Sequence, residues 1–215
     1  MSEEQPHCLV IGVGAGTGLA CVRRFVGEGY TVSMIARHEG RLASWAREIA
    51  DTVAYPSDIT DLESFRVSLE RIKAEQGVPK VVVYNASLAT FAPYSELDPA
   101  DFERNFRANT TGLLVAAQVF APDMVDAGGG ALIITGNTSA RRGTPRFVGF
   151  APTKASQRIL GESLARELGP QGVHVAYVMI DALIDMPWVR KQMPDEPAER
   201  FAHPDDIAGE VYHIV

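Results

Sequence analysis

Six short apolar runs, each followed by a helical pattern, constrain this chain more than any other feature. They are "CLVIGV" from Cys8, "TVSMIA" from Thr31, "TVAYPSD" from Thr52, "KVVVYNAS" from Lys80, "GALIITG" from Gly130 and "VHVAYVMID" from Val173. Several are apolar at consecutive positions, as strands covered on both faces must be. The intervening segments follow the 3.6-residue period of helices. Strand and helix in alternation predict right-handed crossovers and a doubly wound, Rossmann-type parallel sheet with helices on both faces. No compositional break or low-complexity linker interrupts the pattern, so residues 1–215 are expected to form a single domain.

Two segments depart from the alternation. "ALIDMPWVRKQMPDEPAER", rich in Pro, Met and charge, is too long and irregular for a simple connection, and loops of that kind are often lids. A lid-like segment is therefore expected at about 181–200. The chain then closes on "HPDDIAGEVYHIV", a capped helical pattern with no strand after it. Net charge is −7, from 27 acids against 20 bases, which argues against nucleic acid or anionic membrane as a general partner. No apolar run is long enough to span a bilayer, and "MSEEQPH" lacks the basic and apolar regions of a signal peptide. Cys8 and Cys21 fall in buried-type contexts, and the five histidines share no ligand spacing, so no metal is expected. These features lead to the expectation of a reducing, cytoplasmic compartment.

The first run enters "VIGVGAGTGLACVRRF", with Gly12, Gly16 and Gly18 at the junction of strand and helix and Gly14 between them. Glycines there permit positive φ, let backbone approach a pyrophosphate and leave a helix N-terminus open to anions. Such a turn also begins methyltransferases that bind a sulfonium nucleotide, and it occurs without any ligand. After the second run, where NAD sites place Asp or Glu, stand Ala36 and Arg37, followed by His38 and Arg41. A cation at that point suits a 2′-phosphate, which puts NADP ahead of NAD.

Together with three further features in order, this turn resembles the short-chain dehydrogenase/reductase family over nearly the whole chain. The family's "TGxxxGxG" is matched at Ile11, Gly12, Gly16 and Gly18, with Ile in place of Thr. "PSDIT" supplies Asp58, which the resemblance makes a contact to adenine, and Ile59 beside it. "YNAS" supplies Asn85, Ala86 and Ser87, with Ser in place of Gly. "FRANTTGLL" places Asn109 mid-helix where the family has a catalytic asparagine. Asn, Thr, Thr and Gly are all poor mid-helix residues, so a kink or a freed carbonyl is expected there. The resemblance implies cofactor contacts from Gly12, Gly14, Gly16, Thr17, Gly18, Arg37, Asp58, Ile59, Asn85, Ala86, Ser87, Lys154, Ile180 and Asp181.

The family's chemistry uses a Tyr-x-x-x-Lys pair, with a serine about a dozen residues earlier. Here the pair reads Phe150-Ala151-Pro152-Thr153-Lys154. By resemblance Lys154 holds the nicotinamide ribose, but the tyrosine it would tune is absent. No acid stands within four residues of Lys154 to balance it. At the serine's place is Asn137, with Thr138 and Ser139 next. The family's "PG" is replaced by Ile180 and Asp181, and Asp181 reads as a helix cap more readily than as a substitute acid. Phe150 is read equally as core packing or as pocket lining. Tyr84 and Tyr177, inside strands, read as packing; Tyr94 stays open as a donor.

The expectation is an NADP-dependent oxidoreductase acting on a small carbonyl or alcohol through an atypical site formed by Asn109, Asn137, Thr138, Phe150 and Lys154. The alternative is a catalytically silent NADP-binding sensor or partner subunit. By resemblance the chain forms a homodimer through the helices carrying Asn109 and Lys154, with Phe102, Phe106, Leu113 and Leu164 available to that contact or to the core. No segment matches the family's last strand, which leaves a sheet edge beside "VHVAYVMI".

Overall fold

The computed structural model describes residues 5–215. All six apolar runs form parallel strands: β1 (His7–Ile11), β2 (Thr31–Ala36), β3 (Thr52–Pro56), β4 (Val81–Tyr84), β5 (Gly130–Asn137) and β6 (Val173–Ile180). They lie in the order β3-β2-β1-β4-β5-β6. The direction of winding reverses between β1 and β4, and a crevice opens at such a switch point. β1 is buried throughout, pairing with β2 on one side and β4 on the other. Among the described residues β6 is an edge, paired only with β5.

Strand alternation sorts the side chains into two cores. Leu9 and Ile11 face Phe65, Leu69, Leu113 and Phe120, on helices α3 (Leu62–Gln76) and α5 (Gly112–Asp126). Cys8 and Val10 face Leu19, Phe25, Leu42 and Val211, on α1 (Thr17–Gly27), α2 (Glu39–Glu48) and α8 (Pro204–His213). Leu113 belongs wholly to the core, and Leu164 packs against it while partly buried. Both cysteines are free and buried, and desolvation pushes the Cys21 thiol up to about 12.

The helix containing Asn109 breaks its own hydrogen-bond pattern. α4 (Pro99–Phe106) runs into a π-turn, Arg107–Thr111, before α5 begins. That is the irregularity expected from "ANTTG". The Ala108 carbonyl in this turn accepts a 2.6 Å hydrogen bond from the Tyr84 hydroxyl of β4. Gly112 leaves the room this needs, since a Cβ there would lie 2.4 Å from the Tyr84 hydroxyl.

After β6 the chain forms a two-residue parallel pair, β7 (Leu183–Ile184) with β8 (Phe201–Ala202), around α7 (Pro187–Gln192). Arg190 braces it, with two hydrogen bonds of 2.8 and 2.9 Å to Asp185 and its guanidinium over the Phe201 ring at 3.7 Å. Asp181 does not cap a helix. α7 begins only at Pro187, with Met186 at its N-cap.

Two glycines are dictated by close approach, in different ways. A Cβ on Gly136 would come within 1.9 Å of the Tyr177 ring from β6, whereas on Gly12 it would meet the Ala86 backbone at 2.5 Å with φ at +92°. A side-chain clash can be relieved and a backbone clash cannot. Gly136→Ala is therefore expected to lose about 1–3 kcal/mol in urea unfolding and to recover much of it with Tyr177→Ala. Gly12→Ala should lose more, and a second substitution at Tyr177 should leave that loss unchanged.

Candidate functional site

The loops at the C-terminal ends of β1, β2, β3 and β4 enclose a cavity of about 400 Å³. Gly12 and Gly14 form one wall, Arg37, His38 and Arg41 another, and Asp58, Ile59, Asn85, Ala86 and Ser87 a third. The structure thus brings together residues scattered over seventy positions of sequence. Gly14 has nothing within 4 Å of where a Cβ would sit, so its face of the turn stands open. Gly18 packs under the turn, where a Cβ would meet the Gly12 carbonyl at 2.7 Å, and Thr17 is buried in the first turn of α1. Gly16, the N-cap of α1, lies against Met186 from the segment after β6, whose Sδ would be 2.7 Å from a Cβ.

Among the described residues neither Arg37 nor Arg41 is paired with an acid. Asp58 has turned one carboxylate oxygen inward, accepting from the Thr60 amide and hydroxyl at 2.9 and 2.8 Å, which fixes the turn beyond β3.

A hydrogen-bonded chain leads from the glycine turn into the sheet. Asn85 Nδ2 donates to the Gly12 carbonyl at 2.8 Å, and the Thr135 hydroxyl donates to Asn85 Oδ1 at 2.8 Å. The Thr135 carbonyl accepts from Lys154 Nζ at 3.2 Å, and Gln157 Oε1 accepts from the same ammonium. These neutral oxygens are the partners that the sequence around Lys154 does not supply as acids. Lys154 is only 2% exposed and does not line the cavity. Desolvation lowers its pKa to about 7.

The first turn of α6 (Ala151–Leu168) is clamped to the π-turn. Asn109 Nδ2 donates to Thr153 Oγ1 at 2.7 Å, and Thr110 donates to the Thr153 carbonyl at 2.9 Å. Asn109 also pairs with both backbone groups of Leu88, at 2.8 Å each, pinning the loop beyond β4. The same clamp is extended by Asn105, whose Nδ2 donates to the Gly149 carbonyl at 2.9 Å.

Phe150 is the N-cap of α6, buried, with its ring edge-on to Phe91 at 5.5 Å and near Phe147. It is thus part of an aromatic cluster that continues to the half-exposed Phe91. Asn137 ends β5 and accepts from the Ser139 amide at 3.1 Å, capping a short 3₁₀ turn, Thr138–Ala140. Its register partner on β6 is Ile180. Asp181 follows on the surface, outside the cavity.

Neither of the two strand tyrosines is free to act as a donor. Tyr84 is fully buried and engaged with Ala108. The Tyr177 hydroxyl lies beside the Asn137 backbone without a hydrogen bond of good geometry, and burial pushes its pKa up to about 12. Tyr94 is 85% exposed. Met179 is inside β6, and Trp188 on α7 is largely exposed.

A sequence profile described as short chain dehydrogenase matches residues 6–192. The chain belongs to the short-chain dehydrogenase family. It is 25% identical over 219 residues to the pig protein named carbonyl reductase [NADPH] 2, an alignment covering 97% of this chain and 88% of that one. It is 27% identical over 216 residues to a D-threitol dehydrogenase of Mycolicibacterium smegmatis, covering 94% of this chain and 82% of the relative. Among solved structures, a gluconate 5-dehydrogenase from Burkholderia cenocepacia in complex with NADP and tartrate superposes with a TM-score of 0.87 at 21% identity. That match covers 98% of this chain and 88% of the other. Among the described residues no helix is long and apolar enough to cross a membrane.

Thr135, Thr153 and Gln157 carry the network and were not singled out by sequence reasoning. Thr135 was detectable as the one polar residue within "GALIIT"; Gln157 gave no signal beyond being polar one turn after Lys154.

Lys154 makes the site measurable by pH. Its folded pKa lies below the unfolded value, so the unfolded chain binds more protons between about pH 7 and 10.5 and stability rises with pH across that window. Lys154→Met should be the more stable protein at pH 7, and the wild type should regain about 3 kcal/mol on it by pH 9.5 in urea unfolding.

Proposed function

We propose that this protein is an NADP-preferring oxidoreductase that transfers hydride between the nicotinamide and a small carbonyl or alcohol, without the family's tyrosine acid. The observation that carries the reading is the cavity joining the open glycine turn to two arginines, paired with no acid among the described residues, where an NAD site would place an acid. The relatives named for NADPH and solved with NADP support it. In this reading the turn and the α1 N-terminus hold the pyrophosphate, Arg37 and Arg41 the 2′-phosphate, and Asp58 and Ile59 flank the adenine. Asn85, Ala86 and Ser87 line the path toward the nicotinamide. Ile180 and Asp181 sit at its far side, where the segment at about 181–200 acts as a lid over a single domain.

The bound dinucleotide supplies the hydride chemistry. Thr135 and Gln157 occupy two of the three donors of the Lys154 ammonium, leaving one for the ribose. Asn109 keeps Lys154 in place by fixing the first turn of α6. Asn137 and Thr138 hydrogen-bond the substrate oxygen, and the proton comes through Thr138 or water. A positioned acid is worth about 10² to 10⁴ in rate, so turnover is slow by roughly that factor. The free buried thiols suit a reducing cytoplasm. The helices carrying Asn109 and Lys154 form a homodimer contact.

A second reading, a silent NADP-binding sensor or partner subunit, rests on Phe150 being held in an aromatic cluster and Lys154 being turned into the sheet.

Titration with NADPH and NADH, following quenching of Trp45 and Trp188, is expected to show at least about tenfold tighter binding of NADPH. Arg37→Ser should remove most of that preference; equal affinities in the wild type would overturn the cofactor assignment. Phe150→Tyr with Asn137→Ser should raise carbonyl reduction by about 10² or more. No turnover on any carbonyl after both substitutions would establish the silent reading.

A further inference from the structure

The loop between β5 and α6 holds a feature that neither the cofactor site nor the proton relay uses. "ARRGTPR" places Arg141, Arg142 and Arg146 within six residues of an otherwise acidic chain. Next to this loop is a second cavity, of about 550 Å³, walled by Arg141, Arg142 and Arg158, with Phe147, Val148 and Ala151 among its apolar surfaces. No acid lines it.

The three cations differ in how they are held. Arg158 rises from α6, with Nε donating to the Ala140 carbonyl at 3.3 Å and an ion pair to Glu162 behind it. It is a fixed wall. Among the described residues Arg141 and Arg142 pair with no acid, and both are exposed on the loop. Their guanidinium donors are therefore free to take an anion at the cavity wall. The loop's own backbone adds an independent sign. Arg146 is held at φ +68°, a strained conformation for a residue with a long side chain, and its carbonyl is anchored by the Ala92 amide at 3.0 Å. Strain of that kind persists where surrounding structure enforces it, often at ligand-binding segments.

Position gives this cavity its meaning. Its wall begins at Ser139, directly after Asn137 and Thr138, and continues on α6 from Ala151, directly after Phe150, to Arg158. Phe147 belongs both to this wall and to the cluster around Phe150. A ligand whose reacting carbon lies at Asn137 and Thr138 would extend its far end into the cavity.

We propose that this cavity is an anion-recognising subsite. It takes a carboxylate or phosphate carried at the far end of an aromatic or otherwise apolar carbonyl substrate. The planar guanidinium forks of Arg141 and Arg142 match either oxyanion, and the apolar wall accepts the body between the anion and the carbonyl. This rests on the oxidoreductase reading for the carbonyl but not for the anion.

The test uses three probes of one shape: 4-acetylbenzoate, 4-acetylphenyl phosphate and the neutral methyl 4-acetylbenzoate. Calorimetric binding is measured with and without saturating NADPH, on the wild type and on Arg141→Ser/Arg142→Ser. At least one anionic probe is expected to bind tenfold or more tightly than the ester, with the advantage shrinking at higher salt. The double serine variant should abolish that advantage while leaving ester and NADPH affinities unchanged. Arg141→Lys/Arg142→Lys should restore part of it. Which anion binds better identifies the oxyanion. Equal affinity of ester and anions, discrimination that survives in the serine variant, or no binding of any probe would overturn the subsite. Anion binding without NADPH affinity or turnover would instead leave the subsite standing and remove the oxidoreductase reading.

Discussion

The contact between Gly12 and the backbone of Ala86 is the constraint on which the rest of the site depends. It brings the ends of β1 and β4 together at the point where the winding of the sheet reverses. At a Cβ-to-backbone separation of 2.5 Å, only hydrogen fits on Gly12. Once the two strand ends meet, Asn85 can reach the Gly12 carbonyl and Thr135 can reach Asn85. The cavity beyond the strands is the space left over by that approach.

The same approach explains why a lysine tolerates burial. An ammonium nearly excluded from water is unfavourable unless oxygens surround it. Here a carbonyl of β5 and the amide oxygen of Gln157 provide them, while Gln157 Nε2 is left without a partner. α6 is held in register for this by Asn109 and Thr110, and they are positioned by a π-turn whose Ala108 carbonyl is captured by Tyr84. A line of polar contacts thus runs from the glycine turn through the sheet to the helix carrying Lys154. The helix break at "ANTTG" is part of that line, since a regular helix would keep the Ala108 carbonyl in its own ladder.

Much of this was legible in sequence. The six strands, the glycine turn, the arginine in the acid's place and the irregularity around Asn109 each follow from residue types whose preferences act over a few neighbours. The partners of Lys154 were not legible, because Thr135 is nineteen positions away and becomes adjacent only when β5 packs under α6. Asp181 looked like a cap because an acid followed by an apolar stretch often precedes a helix, but β7 intervenes and moves the helix start to Pro187. Phe150 could be read as core or as lining with equal reason. Its burial depends on Phe91, which arrives from the loop beyond β4.

Sequence alone determined the class of fold, the place of the glycine turn and the absence of tyrosine at the position four before Lys154. These are local facts: apolar periodicity, glycine's freedom and the identity of a residue. Only tertiary structure decided which way Lys154 faces, that Tyr84 holds the π-turn, that Phe150 is packed among rings, and that three arginines share one cavity. Those outcomes depend on which distant segments the sheet order makes neighbours, and burial and pairing energies are set by such neighbours rather than by position along the chain.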